Sequence, residues 1–293
     1  MDFSEYQLRS GLTDQQPNRK KKDAGLLIPL LGLAGETGSL LSEYKKKIRD
    51  GQIYEGFDDK ASEEIGDILW CLSNVASRLG LSLDAIARQN LLKTEERWPI
   101  EQQKGKRPML DSEYPESEQL PRKAKIRIYE DKNTGAAHME LLGDQCIILG
   151  DKLTDNAYED DGYRFHDVMH LAHWAVLGWS PVIRRMLGRK RKSNPLIDEV
   201  EDGARAAIIE ELIIAFIYSN AREHSFYEGA RHLDSDMLST ITKICGHLEV
   251  KIRLSSQWER AILQGYRAFR AVKDSKDVVV QIDVNQGALR VQK

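Results

Sequence analysis

The sequence predicts a mainly α protein in two parts: an N-terminal all-α helical bundle, then a C-terminal α+β domain, mostly helical with a small β-sheet or hairpins. Three observations carry this reading. Apolar residues recur at helical spacing through most of residues 1–98. Four of the eight prolines (Pro99, Pro108, Pro115 and Pro121) crowd one acidic stretch. Beyond it, strand-like apolar runs occur only near 126–149 and 278–291, with helical patterns between them. The proline-rich stretch reads as a linker over 99–122, separating 1–98 from 123–293.

In chain order, a short helix is expected over 2–14. A second runs from Asp23, a plausible N-cap, to Arg49, with Gly51 as its stop. Pro29 lies beyond its first turn, which calls for a kink or a later start. A third covers Ser62 to Leu79, where Ile65, Ile68, Leu69, Leu72 and Val75 form one stripe; Ser82 caps a fourth running to Trp98. Helices joined by such short loops describe a bundle. In the second part, Ile126 and Ile128 open a strand, Asn133-Thr134-Gly135 turns, and Met139 to Leu149 returns. Helical patterns then cover 161–177, 199–222, 235–252 and 256–273, before a terminal hairpin around Asn285-Gln286-Gly287.

With 41% apolar and 30% charged residues the chain can bury a core. Forty-three basic against 46 acidic residues leave a net charge of −3, which argues against coating nucleic acid or an anionic membrane. The longest apolar run, Ala24 to Gly35, is too short to span a bilayer, and Met1-Asp2-Phe3-Ser4-Glu5 lacks a signal-peptide profile. Cys71, Cys146 and Cys245 are odd in number and widely spaced, so a reducing, cytoplasmic setting is expected.

Acidic residues mark the first part. Residues three or four apart share a helical face, so Glu64 and Asp67 project together, with Glu63 adjacent. At ~100° per residue, Glu36 and Glu43 differ by only about 20° around their helix. Antiparallel packing of the two helices would gather three or four carboxylates, a set that needs a cation such as Mg²⁺ in compensation. Asn90, Lys93 and Arg97 share a face suited to a polyphosphate. Gly32, Gly35 and Gly38 suit close backbone approach or tight helix packing. Ordinary solvated helix faces are the alternative for the whole set.

Leu31-Gly32-Leu33-Ala34-Gly35-Glu36-Thr37-Gly38, then Glu63-Glu64-Ile65-Gly66-Asp67-Ile68-Leu69-Trp70, then Asn90-x-x-Lys93-x-x-x-Arg97 resemble the MazG family of all-α nucleoside triphosphate pyrophosphohydrolases. The resemblance covers about the first 98 residues. It implies cleavage of an NTP or dNTP to the monophosphate and pyrophosphate, by metal-activated water attack at the α-phosphorus. It assigns Glu36 to the first acid of an ExxE motif and Glu64 and Asp67 to ExxD, all holding Mg²⁺, with Mn²⁺ as a substitute. Lys93 and Arg97 look like phosphate contacts, and Glu43 or Glu63 is expected to take the proton. Ser39 departs from the pattern at the second acid of ExxE; Glu43, one turn on, either replaces it as a metal ligand or the site runs with fewer ligands. Tyr54, Phe57 and Trp70 offer aromatic surface for a base, Trp70 equally reading as core. A unit this short is expected to complete its core as a homo-oligomer, dimer or tetramer.

In the second part, His166, His170 and His173 stand at i, i+4, i+7, with Asp167 beside the first and Glu210 and Glu211 downstream. Such a set binds a transition metal, acts in acid–base chemistry, or simply hydrogen-bonds internally. His166-Asp167 is similar to the HD phosphohydrolase signature, but that family's further His and Asp have no convincing counterparts here. The segment Gly162 to Glu211 looks like the C-terminal extension of some MazG-like proteins. The basic run Arg184, Arg185, Arg189, Lys190, Arg191, Lys192 reads as solvated or internally paired. Two rival functions stand beside the enzyme: a nucleotide-sensing regulatory module with a degenerate site, and a metal-dependent hydrolase or nuclease in the C-terminal domain.

Overall fold

The computed structural model describes residues 1–15, 22–97, 108–143 and 146–292, with backbone alone at 22–24 and 96–97. The chain divides into two compact units, Met1–Glu95 and Glu96–Lys293.

The first unit is all-α. Helix α1 (Phe3–Leu12) begins at Asp2, whose carboxylate accepts the Glu5 N–H at 2.8 Å. Helix α2 (Lys22–Asp50) runs unbroken through the buried Pro29. A short connection leads into α3 (Phe57–Leu79), which packs along α2 as a helical hairpin. Gly80 closes α3 at φ 69°, a left-handed conformation that favours glycine. Helix α4 spans Leu83–Arg97, and the Gln7 side chain ties its start to α1 by accepting the Leu83 N–H and donating to the Leu81 carbonyl, each at 2.8 Å. Of the three glycines, only Gly32 marks a close approach: a Cβ there would sit 3.0 Å from Cys71 Sγ, whereas Gly35 and Gly38 face open space.

This unit leaves large apolar side chains exposed, among them Leu27, Leu31, Leu41, Ile65, Leu91 and Leu92. Among the described residues, one helix, Gly25–Ile53, is long and apolar enough to cross a membrane by length and composition alone. Glu36 stands within it, and a charged side chain at a bilayer centre costs about 2.5–3.5 kcal/mol or more.

The second unit sets helices against a five-stranded antiparallel sheet of order β3-β2-β1-β4-β5. Strands β1 (Lys123–Glu130) and β4 (Asp277–Asp283) lie at its centre, with Ile126 opposite Val280. The predicted return strand is two strands, β2 (Ala137–Leu142) and β3 (Ile147–Leu153), broken after Leu142 near Gly143. β5 (Ala288–Val291) completes the terminal hairpin.

The expected helix over 161–177 is segmented into a 3₁₀ turn (Tyr163–Phe165), α5 (Asp167–Ala172) and a π-helical turn (His173–Leu177). After α6 (Pro181–Met186), α7 (Pro195–Val200) and α8 (Ala204–Glu223) replace one predicted helix. α9 (Ser235–Ile244) and α10 (Ser255–Ser275) follow. The core gathers Trp174, Trp179, Trp258, Tyr266 and Phe269 with Ile126, Val280 and Ile282 from the sheet. Cys71 and Cys245 are buried and Cys146 is exposed, all three as free thiols.

The predicted linker is corrected over 108–122; its remainder, 99–107, lies outside the described residues. Asp111 is buried and accepts hydrogen bonds from Leu120 N–H at 2.8 Å and Arg184 at 2.7 Å, with Arg122 at 2.6 Å. Asp111 is thus ion-paired within the second unit and Glu118 accepts from the Ser193 N–H at 2.9 Å, so the segment's polar composition did not signal solvation throughout. Part of the basic run is paired internally, Arg191 with Asp202 and Glu249 at 2.7 and 2.6 Å and Lys190 with Asp198 at 2.6 Å, while Arg185 and Lys192 are exposed.

Gly203 caps the start of α8, and a Cβ there would lie 1.9 Å from the Glu199 carbonyl oxygen. Because the obstacle is backbone, Gly203→Ala is expected to lower unfolding free energy by about 1–3 kcal/mol. Chemical denaturation followed by circular dichroism checks this; an unchanged midpoint refutes it.

Candidate active site

The α2–α3 hairpin brings Glu36, Glu64 and Asp67 together, one carboxylate oxygen from each lying within 4.8 Å of the others. Glu36 and Glu64 are half-buried and Asp67 is exposed. Partial burial and the nearby Glu36 charge, with smaller contributions from Asp67 and Glu63, push the Glu64 carboxyl above its ordinary value. Like charges gathered this closely repel, and a cation between them removes the penalty.

Glu43 is not in this cluster. It is buried and takes hydrogen bonds from Lys46 Nζ at 2.5 Å and from the Tyr54 hydroxyl, which hold its carboxyl below its ordinary value. Tyr54 is thereby committed, and Phe57 lies under Lys47 Nζ at 4.2 Å and beside Tyr44. Ser39, where the family pattern has an acid, is half-buried. Glu63 is exposed and accepts from Lys60 Nζ at 2.8 Å.

A cavity of about 330 Å³ adjoins the acids, lined by Asp14, Ile28, Pro29, Gly32, Glu36, Asp67, Trp70 and Cys71. Its volume sits at the low end for small-molecule sites, about 300–1,000 Å³. Trp70 is half-buried and donates from Nε1 to Thr13 Oγ1 at 2.9 Å, so it forms wall rather than sealed core. Ile28, Pro29 and Cys71 escaped the sequence reading, because apolar wall residues are indistinguishable there from core. Asn90 and Lys93 are exposed on α4; the side chain of Arg97 lies outside the described residues.

The second unit brings His166 and His170 together beside Glu211 and sets His173 against Glu210. His166 Nδ1 donates to the Tyr163 carbonyl at 2.8 Å, and its ring stacks on Tyr163 with centroids 4.3 Å apart. His170 is fully buried, Nδ1 lying 3.0 Å from Glu210 Oε1 and Nε2 3.2 Å from Glu211 Oε1. His173 donates from Nδ1 to the same Glu210 Oε1 at 3.0 Å. Glu210 also accepts from Ser180 Oγ at 3.0 Å and Val182 N–H at 3.1 Å, so it is a structural anchor. Burial pushes the Glu210 carboxyl up, but His170 and His173 outweigh it and bring it down to about 2. His166, His170 and Glu211 offer ligand atoms within 4.8 Å of one another.

A family model described as the MazG C-terminal domain matches residues 105–293. The chain belongs to the MazG C-terminal domain family. The Gene 37 protein of Mycobacterium phage L5 is 31% identical over 96 residues, a stretch covering 31% of this chain and 84% of that protein. No solved structure matches. The MazG C-terminal domain match takes in the segment from β1 to β5 and the histidine cluster, while the acidic cluster on α2 and α3 lies outside the matched range.

Proposed function

We propose that the first unit of this MazG-family protein is a Mg²⁺-dependent nucleoside triphosphate pyrophosphohydrolase, converting an NTP or dNTP to the monophosphate and pyrophosphate. The observation that carries the reading is the carboxylate cluster of Glu36, Glu64 and Asp67 beside a cavity with an apolar wall. Its donors are all oxygen, the set that suits Mg²⁺ or Mn²⁺ rather than softer ions. The cation, when bound, supplies charge neutralisation for the phosphates and lowers the pKa of water.

Glu36, Glu64 and Asp67 hold the charge centre of the site. Ile28, Pro29 and Trp70 present a surface on which a base can stack and exclude water. Lys93, exposed on α4, is the proposed cation for the departing pyrophosphate. With Glu43 tied to Lys46 and Tyr54, Glu63 is the remaining neighbouring acid to take a proton at its carboxylate. Three carboxylates rather than four make a site that runs without a replacement for the acid missing at Ser39. Glu43→Gln is therefore expected to leave turnover within about threefold of wild type, since it removes no cluster charge; loss comparable to a cluster variant would restore Glu43 as a ligand.

The deciding experiment incubates the purified full chain with a panel of NTPs and dNTPs plus Mg²⁺ or Mn²⁺ and identifies products. Pyrophosphate with the monophosphate is expected. Orthophosphate release overturns the assignment, and tight binding without turnover selects the sensing module instead. The exposed apolar side chains of α2, α3 and α4 support assembly with a second copy. Light scattering is expected to give a multiple of 33.4 kDa, and a monomer at micromolar concentration overturns that part.

A further inference from the structure

We propose that His166, His170 and Glu211, with Asp167 beside them, form a binding site for one divalent transition cation, zinc fitting first, separate from the acidic cluster of the first unit. Three donors come within reach of one point, with Asp167 a little farther out. Glu211 Oε1 lies 3.2 Å from His170 Nε2 and Glu211 Oε2 lies 3.6 Å from His166 Nε2, while Asp167 Oδ1 lies 3.6 Å from His166 Nε2 and 3.9 Å from His170 Nε2. Tetrahedral bonds of about 2.0–2.1 Å place neighbouring ligand atoms about 3.3 Å apart. The observed spacings bracket that value from just below to somewhat above.

The imidazoles are prepared as ligands. His166 Nδ1 donates to the Tyr163 carbonyl, which can only accept, so Nε2 is the ring nitrogen left to face the carboxylates. His170 turns Nδ1 toward the buried Glu210 carboxylate and Nε2 toward Glu211 and Asp167. A carboxylate or carbonyl behind each ligating imidazole is the recurrent outer layer of metal sites.

Internal ion pairing alone leaves something over. His170 is fully buried, yet neither of its nitrogens has hydrogen-bond geometry with any side chain around it. A buried ring that lies 3.0 and 3.2 Å from two carboxylates yet misses hydrogen-bond geometry with both is uncommon, and an ion among them is one of the standard reasons for it. Two imidazoles with carboxylate oxygen also differ in kind from the all-oxygen set on α2 and α3, and favour zinc, iron or cobalt over Mg²⁺.

The position is open on one side. His166, Asp167 and Glu211 line a cavity of about 680 Å³ whose apolar wall includes Leu153, Val182 and Ile208. A cation there keeps room for an exchangeable oxygen ligand, as catalytic rather than structural zinc sites do.

The test uses untagged full-length protein carrying Glu64→Gln, so that the acidic cluster is weakened. The protein is loaded with Zn²⁺ or Co²⁺, dialysed against excess Mg²⁺, and assayed for metal content and for the Co²⁺ visible spectrum. About one equivalent per chain is expected, with a ligand-field spectrum of nitrogen–oxygen coordination. Adding His166→Gln or Glu211→Gln is expected to weaken binding by more than the about 10–100-fold that outer-layer changes cost. Glu211 is partly exposed, so its variant is expected to keep the parent's circular dichroism. A parent that emerges metal-free, or metal retention in both variants equal to the parent's, overturns the site.

Discussion

Glu64→Gln is expected to abolish pyrophosphate release, by about 100-fold or more in kcat/KM, while leaving the helical circular dichroism spectrum and melting temperature close to wild type. The amide keeps nearly the same volume, so the half-buried position in α3 is not disturbed. What it removes is one of three charges. Loss of a single transition-state electrostatic contact costs about 10²–10³ in kcat. A carboxylate pushed up by its neighbours is also the one whose neutralisation least harms the apo fold, because it relieves repulsion with Glu36. Steady-state pyrophosphate assays with saturating Mg²⁺ check this. Turnover within threefold of wild type would sink the proposed function outright.

The second large effect concerns stability. Asp111→Asn is expected to destabilise the second unit by about 3–5 kcal/mol, the cost of breaking a buried ion pair from one side. Arg184 is as buried as Asp111 and would lose its 2.7 Å partner, keeping the Glu118 carbonyl at 2.8 Å and Asp202 at 3.6 Å. Those remaining contacts favour the lower end of the range. Burial pushes the Asp111 carboxyl up, but Arg122, the Arg184 charge and the Leu120 N–H together hold it below its ordinary value of 3.8. A depressed folded-state pKa means the stabilisation is present above about pH 4 and is lost as pH falls through the lower, folded-state value. The gap between wild type and variant should therefore narrow on acidification. Urea titrations at about pH 7 and about pH 3 measure it, and a gap that widens at low pH contradicts the ion-pair account.

How much of this was legible in the sequence depends on how local each feature is. The pairing of Glu64 with Asp67 followed from helical spacing, since residues that share a face are brought together by the helix itself, whereas Glu36 joins them through the packing of α2 on α3. The histidine set was half legible. Its i, i+4, i+7 spacing put three imidazoles on one face, but the helix loosens into a π turn at His173 and sends that side chain toward Glu210. Glu210 and Glu211 are adjacent and so point about 100° apart around α8, one into the core and one to the cavity. The engagement of Glu43 was hidden for another reason: position on a face predicts proximity along one helix, and its partner Tyr54 comes from the connection beyond that helix. The role of Asp111 was invisible, because its partner Arg184 lies 73 residues away. The break between β2 and β3 was signalled by Gly143-Asp144-Gln145 between two apolar runs, a turn-type tripeptide that the reading of one strand passed over.

The central pairing of β1 with β4 has a consequence for synthesis. Arg127 and Asp277 meet across the two strands although 150 residues separate them. At about 5–20 residues per second a ribosome needs roughly 8–30 s to cover that distance. During this interval β1 and β2 can form their hairpin on the nascent chain, but the β1 edge that β4 will occupy stays open. An open edge of this kind templates pairing with foreign strands. Lys123, Lys125 and Arg127 place positive charge at alternate positions along β1, so emerging chains repel one another while they wait.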